Sequence, residues 1–169
     1  LPTHCARTGE PMTDQKLPDP QNPSPGEIPF SEPWGVTPLG WVRHRLAESV
    51  VHSKRLLQPL SGSRCVILPS RDPNCPTSFL RAWSVGQTLR RDFGWRVTTV
   101  PYRLELVQRQ RIVRMEKPDV ILMGLERHPL NRPRYYSGTP IVFDLDDADY
   151  LWPYARDFVI ECCRGSQAV

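Results

Sequence analysis

Four short apolar runs, each of strand length, constrain the fold of this chain more than any other feature of its sequence. They are RCVILP (64–69), WRVTTV (95–100), DVILMG (119–124) and TPIVFD (139–144). Each is rich in β-branched residues and is bounded by proline, glycine or polar residues, which is typical of a β-strand. Because the runs are almost continuously apolar, we expect strands that are covered on both faces of one sheet.

Segments with helical periodicity separate these strands. TSFLRAWSVGQTLRRDFG (77–94) and LELVQRQRIVRMEK (104–117) fill two of the gaps, and a further helix is expected over about 152–163. In the first of these segments one apolar face is predicted, formed by Phe79, Ala82, Gly86, Leu89 and Phe93. Strands that alternate with helices predict a doubly wound, mostly parallel α/β sheet, in the order second, first, third, fourth strand. Ligands of such sheets bind at the carboxyl ends of the strands, where the winding reverses.

The part of the chain before the first strand has a different composition. Residues 1–38 hold nine of the 19 prolines and few apolar residues, which predicts a flexible, disordered tail. Residues 39–60 predict a basic amphipathic helix, in which Leu46, Val50 and Leu57 form a partial apolar stripe. Residues 61–169 are then the α/β domain. Its last residues, SQAV (166–169), begin another apolar stretch, so we expect this domain to be incomplete at its C-terminal end.

Composition excludes several functional classes. No 18-residue apolar run and no signal peptide are found, which favours a cytoplasmic protein with at most peripheral membrane contact through the basic helix. The five cysteines are an odd number without CxxC spacing, which argues against a disulfide framework or a zinc site. Reduced thiols are the expected state.

The positive charge of the chain is modest, at +4 with a pI near 9.0. No basic strand interleaved with aromatic residues accompanies it, so no nucleic-acid partner is predicted. Many of the arginines fall on predicted helices, where a solvated helix face is the expected environment: Arg90, Arg91, Arg103, Arg109, Arg111 and Arg114.

An acidic cluster follows the fourth strand. Asp144 ends the strand, and Asp146, Asp147 and Asp149 come directly after it. Two interpretations stay open: an acidic cap on the next helix, or the polar rim of a ligand cleft. No glycine lies between 144 and 149 to bend the backbone sharply, so these carboxylates are not expected to converge on one metal ion. Neither a metal nor a cofactor is predicted.

The run from 64 to 169 resembles the N-terminal, acceptor-side half of GT-B glycosyltransferases of the family-four-like group. Four stretches carry the resemblance: PTSFLRAWSVGQTLRRDFGWRVTTV, KPDVILMG, GTPIVFDLDDADYL and ECCRGSQAV. It implies a Rossmann-like domain of an enzyme that moves a sugar from a nucleotide-sugar donor to a sugar, lipid or protein acceptor. It also implies that the donor is bound by a C-terminal domain with a Glu-x7-Glu signature, which this sequence lacks. The chain is therefore expected to be a truncated portion that is inactive alone.

The resemblance and the strand-end rule together select the candidate site residues. Substrate binding is expected from Ser70, Arg71, Arg81, Gly124, Arg127 and Asp144. Arginine suits this role because its planar guanidinium recognises phosphate and carboxylate groups. No catalytic residue is established, and the candidates are Asp144 and His128. His128 could deprotonate an acceptor hydroxyl, or could simply be an exposed loop histidine.

A second resemblance supports an alternative function. KPDVILMGLERHP is similar to the third strand of response-regulator receiver domains, whose sheet has the same strand order. The phosphorylated aspartate of those domains would fall at Gly124, so a working receiver is not expected. A non-catalytic Rossmann-like or receiver-like binding module is the alternative to the transferase.

Overall fold

A four-stranded parallel sheet lies at the centre of the computed structural model, which describes residues 37–58, 61–124, 128–145, 149–151 and 153–169. All of these residues belong to one unit, Ser31–Val169. The strands are β1 (Arg64–Leu68), β2 (Arg96–Thr99), β3 (Val120–Gly124) and β4 (Ile141–Asp144). Their order is β2-β1-β3-β4 and every pair is parallel, so the predicted fold class and strand order are confirmed.

Four helices accompany the strands among the described residues: α1 (Pro38–Leu56), α2 (76–93), α3 (Leu106–Glu116) and α4 (Pro153–Gly165). Short 3₁₀ turns lie at Pro133–Tyr136 and Asp149–Leu151. α1 begins where the Thr37 side chain accepts a hydrogen bond from the Gly40 amide, which caps the helix. The predicted tail, 1–38, is therefore wrong at its last two residues, and residues 1–36 lie outside the described residues.

The two faces of the sheet bury different clusters, as a doubly wound fold requires. Successive residues of β1 point to opposite faces. Val66 and Leu68 join a larger core that includes side chains of α1, α3 and α4. Cys65 and Ile67 join a smaller core that includes Ala82 of α2.

The helix α2 is not regular. It begins as α-helix at Pro76–Ser78, continues as π-helix over Phe79–Ser84 and returns to α-helix over Val85–Phe93. A π turn takes up more residues than an α turn, so spacings of three and four do not keep one face across it. The predicted apolar face is wrong at its two ends: the phenylalanines at 79 and 93 are 43% and 66% exposed. The π segment accounts for the first of them only, since Phe93 lies in the regular α segment.

Both outer edges of the sheet carry additional hydrogen bonds. On the β2 side, the Val97 carbonyl accepts hydrogen bonds from Gln58 Nε2 and from the guanidinium of Arg90. On the β4 side, Ala168 forms an isolated parallel bridge with Val142, and the Phe143 amide donates to the Ala168 carbonyl. The apolar stretch expected from residue 166 thus continues the sheet past β4.

The helix α1 ends at Leu56, before the predicted end of the basic helix at residue 60. It packs against α3 and β2 and contributes Val51 to the larger core. In the part of the chain that the structure describes, every helix is too short or too polar to cross a membrane.

Candidate functional site

Four of the residues selected from the sequence meet at the carboxyl ends of the strands. Ser70 follows β1, Gly124 ends β3, Asp144 ends β4, and Arg81 reaches the same place from α2. Gly124 and Asp144 are paired across the two strands. All four line one cavity of about 20 Å³, which is the volume that holds roughly one water molecule. We call this group the strand-end cluster.

An ion pair closes the strand-end cluster. Arg81 Nε donates a hydrogen bond of 2.7 Å to Asp144 Oδ2, and Arg81 Nη2 donates to Asp144 Oδ1. The two side chains are 36% and 25% exposed, so solvent reaches the pair from one side. This bidentate arrangement is the strongest that arginine makes with a carboxylate. It ties α2 to β4 and engages both oxygens of Asp144.

Two buried hydroxyl groups form the other wall of the cavity. The Oγ atoms of Ser70 and Ser78 lie 3.5 Å apart, and their residues are 6% and 3% exposed. A side chain at Gly124 would place its Cβ 3.6 Å from the Leu68 carbonyl and 3.6 Å from Ser70 Oγ, within ordinary contact. Glycine therefore keeps the approach between the ends of β1 and β3 open. A small polar ligand group entering here would meet hydroxyl groups and backbone.

Below the strand-end cluster lies a buried arginine that the sequence had placed on a solvated helix face. Arg109 of α3 is 0% exposed, so that expectation is wrong for this residue. Its Nε donates to the Leu104 carbonyl at 2.9 Å, and its Nη1 donates to Asn131 Oδ1 at 2.9 Å. Its Nη2 donates to the Tyr102 carbonyl and lies 2.6 Å from His128 Nε2. All of these partners are formally neutral.

The Asn131 side chain connects this arginine to the sheet. Its Nδ2 donates to the carbonyls of Leu68 and Gly124, each at 3.0 Å. These carbonyls end β1 and β3, the two strands between which the winding reverses. The contacts of Arg109 and Asn131 therefore fix the floor of the strand-end cluster. Sequence reasoning missed both residues, because nothing in their local pattern indicates burial.

His128 belongs to the same buried network. It is 1% exposed, and its Nδ1 accepts a hydrogen bond from the Leu130 amide at 3.2 Å. The expectation of an exposed loop histidine is therefore wrong. Burial, together with the neighbouring Arg109 charge, lowers the pKa of His128 from 6.5 to about 3. A general base works best when its pKa lies near the operating pH, so the geometry favours a structural imidazole at this position.

The remaining predicted site residues are placed differently. Arg71 is half-buried after β1 and, among the described residues, is not one that lines the cavity. Arg127, Asp146 and Asp147 lie outside the described residues, and for Asp149 only the backbone is described. The sequence-based assignment of the acidic cluster can therefore be followed only at Asp144.

The described residues contain no group of three or more histidine, cysteine or carboxylate side chains arranged to hold a metal ion. The four described cysteines are free thiols: Cys65, Cys75, Cys162 and Cys163. Burial raises the pKa of Cys65 to about 11 and that of Cys162 to about 12, so both are protonated near neutral pH. Neither is suited to act as a nucleophile.

Comparison of the chain with protein-family models, with characterised proteins and with solved structures gave no match. The chemistry of the strand-end cluster is therefore what bears on function. Together with Ser78, it offers one carboxylate, one guanidinium and two hydroxyl groups around a cavity at the reversal point of a parallel sheet. Such a set can bind a polyhydroxyl or anionic group through directional hydrogen bonds.

Proposed function

We propose that the chain is the acceptor-binding portion of a GT-B glycosyltransferase that uses a nucleotide-sugar donor. The observation that carries this proposal is the strand-end cluster, in which Ser70, Arg81 and Asp144 converge where a doubly wound sheet binds ligands. The resemblance of the sequence to the acceptor-side half of those enzymes gives the chemical class. The free thiols among the described cysteines fit a cytoplasmic location for it.

Each group of the cluster has a role in this proposal. The Asp144 carboxylate accepts a hydrogen bond from an acceptor hydroxyl, and the serine hydroxyls at 70 and 78 orient the same ring. The cavity of about 20 Å³ is too small for a sugar. Acceptor binding therefore requires the Arg81–Asp144 pair to separate, which also frees the guanidinium for an anionic group of the acceptor. Catalysis is left to Asp144, since His128 is buried.

The donor is bound elsewhere in this proposal. GT-B enzymes hold the nucleotide sugar in a second Rossmann-like domain, and the described strands β1 to β4 form one sheet of this kind. The chain by itself should therefore bind acceptors weakly and should not transfer sugar.

Saturation-transfer NMR with a panel of methyl glycosides and with UDP-glucose tests the proposal. We expect signals from at least one glycoside at millimolar concentration and none from UDP-glucose. Asp144→Asn should abolish the glycoside signal. Asp119→Asn is the matched control, because Asp119 also pairs with an arginine, Arg64, but at the opposite end of the sheet. Equal loss in both variants, or sugar transfer by the chain alone, would contradict the proposal.

A non-catalytic binding module is the second candidate, favoured by the closed state of the cluster. Both Asp144 oxygens are engaged by Arg81, and the cavity has room for about one water molecule. The position of a receiver phosphoaspartate is occupied by Gly124, so such a module would not be phosphorylated there. The absence of any glycoside signal, with a loss of stability in Asp144→Asn, would favour this candidate over the transferase.

A further inference from the structure

The helix α1 contacts the rest of the domain through an unusually polar face. Its buried residues are Gly40, His44, Glu48 and Val51. Glu48 is hydrogen-bonded to Arg111 Nη1 with both oxygens at 3.2 Å, and His44 Nε2 lies 3.5 Å from Glu105 Oε1. These contacts to α3 and its first residues fix the rotation of α1 about its axis.

That rotation turns the apolar residues of α1 towards solvent. Four of them and the C-cap residue Leu57 form a row that we call the outer stripe, with exposed fractions of 44% to 86%: Leu39, Val42, Leu46, Val50 and Leu57. On a helix of 3.6 residues per turn the outer stripe lies roughly 150° from the buried face. Trp41 is also exposed, at 60%, but lies roughly 150° from the outer stripe around the helix axis. Surface helices of globular proteins usually bury such apolar residues, so a contiguous exposed row indicates a face that contacts a partner or a membrane.

The charges around the outer stripe indicate what covers it. Arg43 and Lys54 flank the stripe on one side and are exposed, and Arg45 lies over the Trp41 ring at 5.4 Å. The single carboxylate of α1 is Glu48, which is 4% exposed and turned inwards. The outward surface of α1 is therefore apolar and cationic, without an acidic group.

We propose that α1 lies flat on an anionic lipid surface, with the outer stripe in the acyl-chain boundary and Arg43 and Lys54 at the headgroups. An apolar stripe with flanking cations is typical of helices that bind in the membrane interface. A second copy of the chain fits less well, because a symmetric contact would bring the same cations against each other. This proposal does not depend on the transferase function.

Co-sedimentation of the 169-residue chain with lipid vesicles tests the proposal. One set of vesicles is pure phosphatidylcholine, and the other is an equimolar mixture with phosphatidylglycerol. We expect sedimentation with the mixed vesicles, little with the neutral ones, and release by added salt.

Two pairs of variants separate the stripe from general surface effects. Leu39→Gln with Leu46→Gln should lower the partition coefficient by about tenfold or more, because two leucines leave the interface. Leu80→Gln with Leu151→Gln is the matched control, since these leucines are 63% and 71% exposed on other elements.

A second pair of variants tests the contribution of charge. Lys54→Gln should lower the partition coefficient about fivefold. Arg114→Gln, at an exposed arginine of α3, should leave it unchanged.

Three results would overturn the proposal. The first is failure of the wild-type chain to sediment with the anionic vesicles. The second is equal sedimentation of the stripe variant and its control, with circular dichroism showing both folded. The third is a concentration-dependent dimer in sedimentation velocity that the stripe variant abolishes without lipid, which would assign the outer stripe to a second copy.

Discussion

The buried imidazole of His128 makes a quantitative prediction about how stability depends on pH. Its pKa is lowered from 6.5 to about 3 in the folded chain by burial and by the charge of Arg109. The unfolded chain therefore binds a proton between these two values while the folded chain does not. The stabilisation linked to His128 is fully present above about pH 6.5 and is lost progressively as the pH falls towards 3.

The size of the effect follows from the two pKa values. Each pH unit between them costs about 1.36 kcal/mol in the free energy of unfolding. At pH 5 the solution is about one and a half pH units below the pKa of His128 in the unfolded chain. Between pH 7 and pH 5 we therefore expect this residue to lower the free energy of unfolding by about 2 kcal/mol. For a domain whose total stability is about 5–15 kcal/mol, such a loss is readily measured.

Urea unfolding of the wild type and of His128→Gln, each at pH 7 and pH 5, measures this contribution. Glutamine keeps an N–H group that can donate to the Tyr102 carbonyl, as His128 Nε2 does, and it does not titrate. The wild type should lose about 2 kcal/mol more than the variant between the two pH values, with similar urea dependence in all four curves. Equal losses in both proteins would show that the folded chain protonates His128 normally, and the account of the buried network would be wrong.

Three further predictions concern Asp144 and the packing of α4. Asp144→Asn should cost about 1 kcal/mol in urea unfolding, because it weakens a half-exposed bidentate pair, and Asp119→Asn should cost less. Gly165→Ala should lower the free energy of unfolding by about 1–3 kcal/mol in the same assay, since its Cβ would lie 2.5 Å from Pro133 Cβ. Wild-type stability of this variant would show that Pro133 moves away at little cost. Calorimetric titration with Mg²⁺ should give no saturable binding below about 1 mM, because Arg81 engages both oxygens of Asp144; micromolar affinity that Asp144→Asn abolishes would restore a metal site.

The sheet could be predicted from the sequence because each strand is recognisable from a few adjacent residues. Each strand is a short β-branched run between turn residues, and the crossover rule then leaves few possible orders. The meeting of Ser70, Gly124 and Asp144 followed from the same rule, since parallel strands present their carboxyl ends at one edge, whereas Arg81 of α2 was selected from the resemblance. The structure adds the bidentate contact, which depends on where the π segment of α2 aims Arg81.

The buried network around Arg109 could not be predicted, because the residues that form it are far apart in the sequence. Arg109 looks like any helix-surface arginine until loops carrying Tyr102, His128 and Asn131 enclose it. The orientation of α1 is similar. Its apolar stripe is visible in the sequence, but the inward turn of the opposite face is set by Glu48 and Arg111, 63 residues apart. Periodicity identifies a helix face and cannot say what that face meets.

The hydrogen bonds at the two outer strands bear on how molecules of this chain meet one another. An open parallel sheet ordinarily leaves backbone groups on its outermost strands that can template a strand from another molecule. Here the Val97 carbonyl is occupied by Gln58 and Arg90, and the Phe143 amide is occupied by Ala168. Self-association by strand addition would first have to displace these contacts.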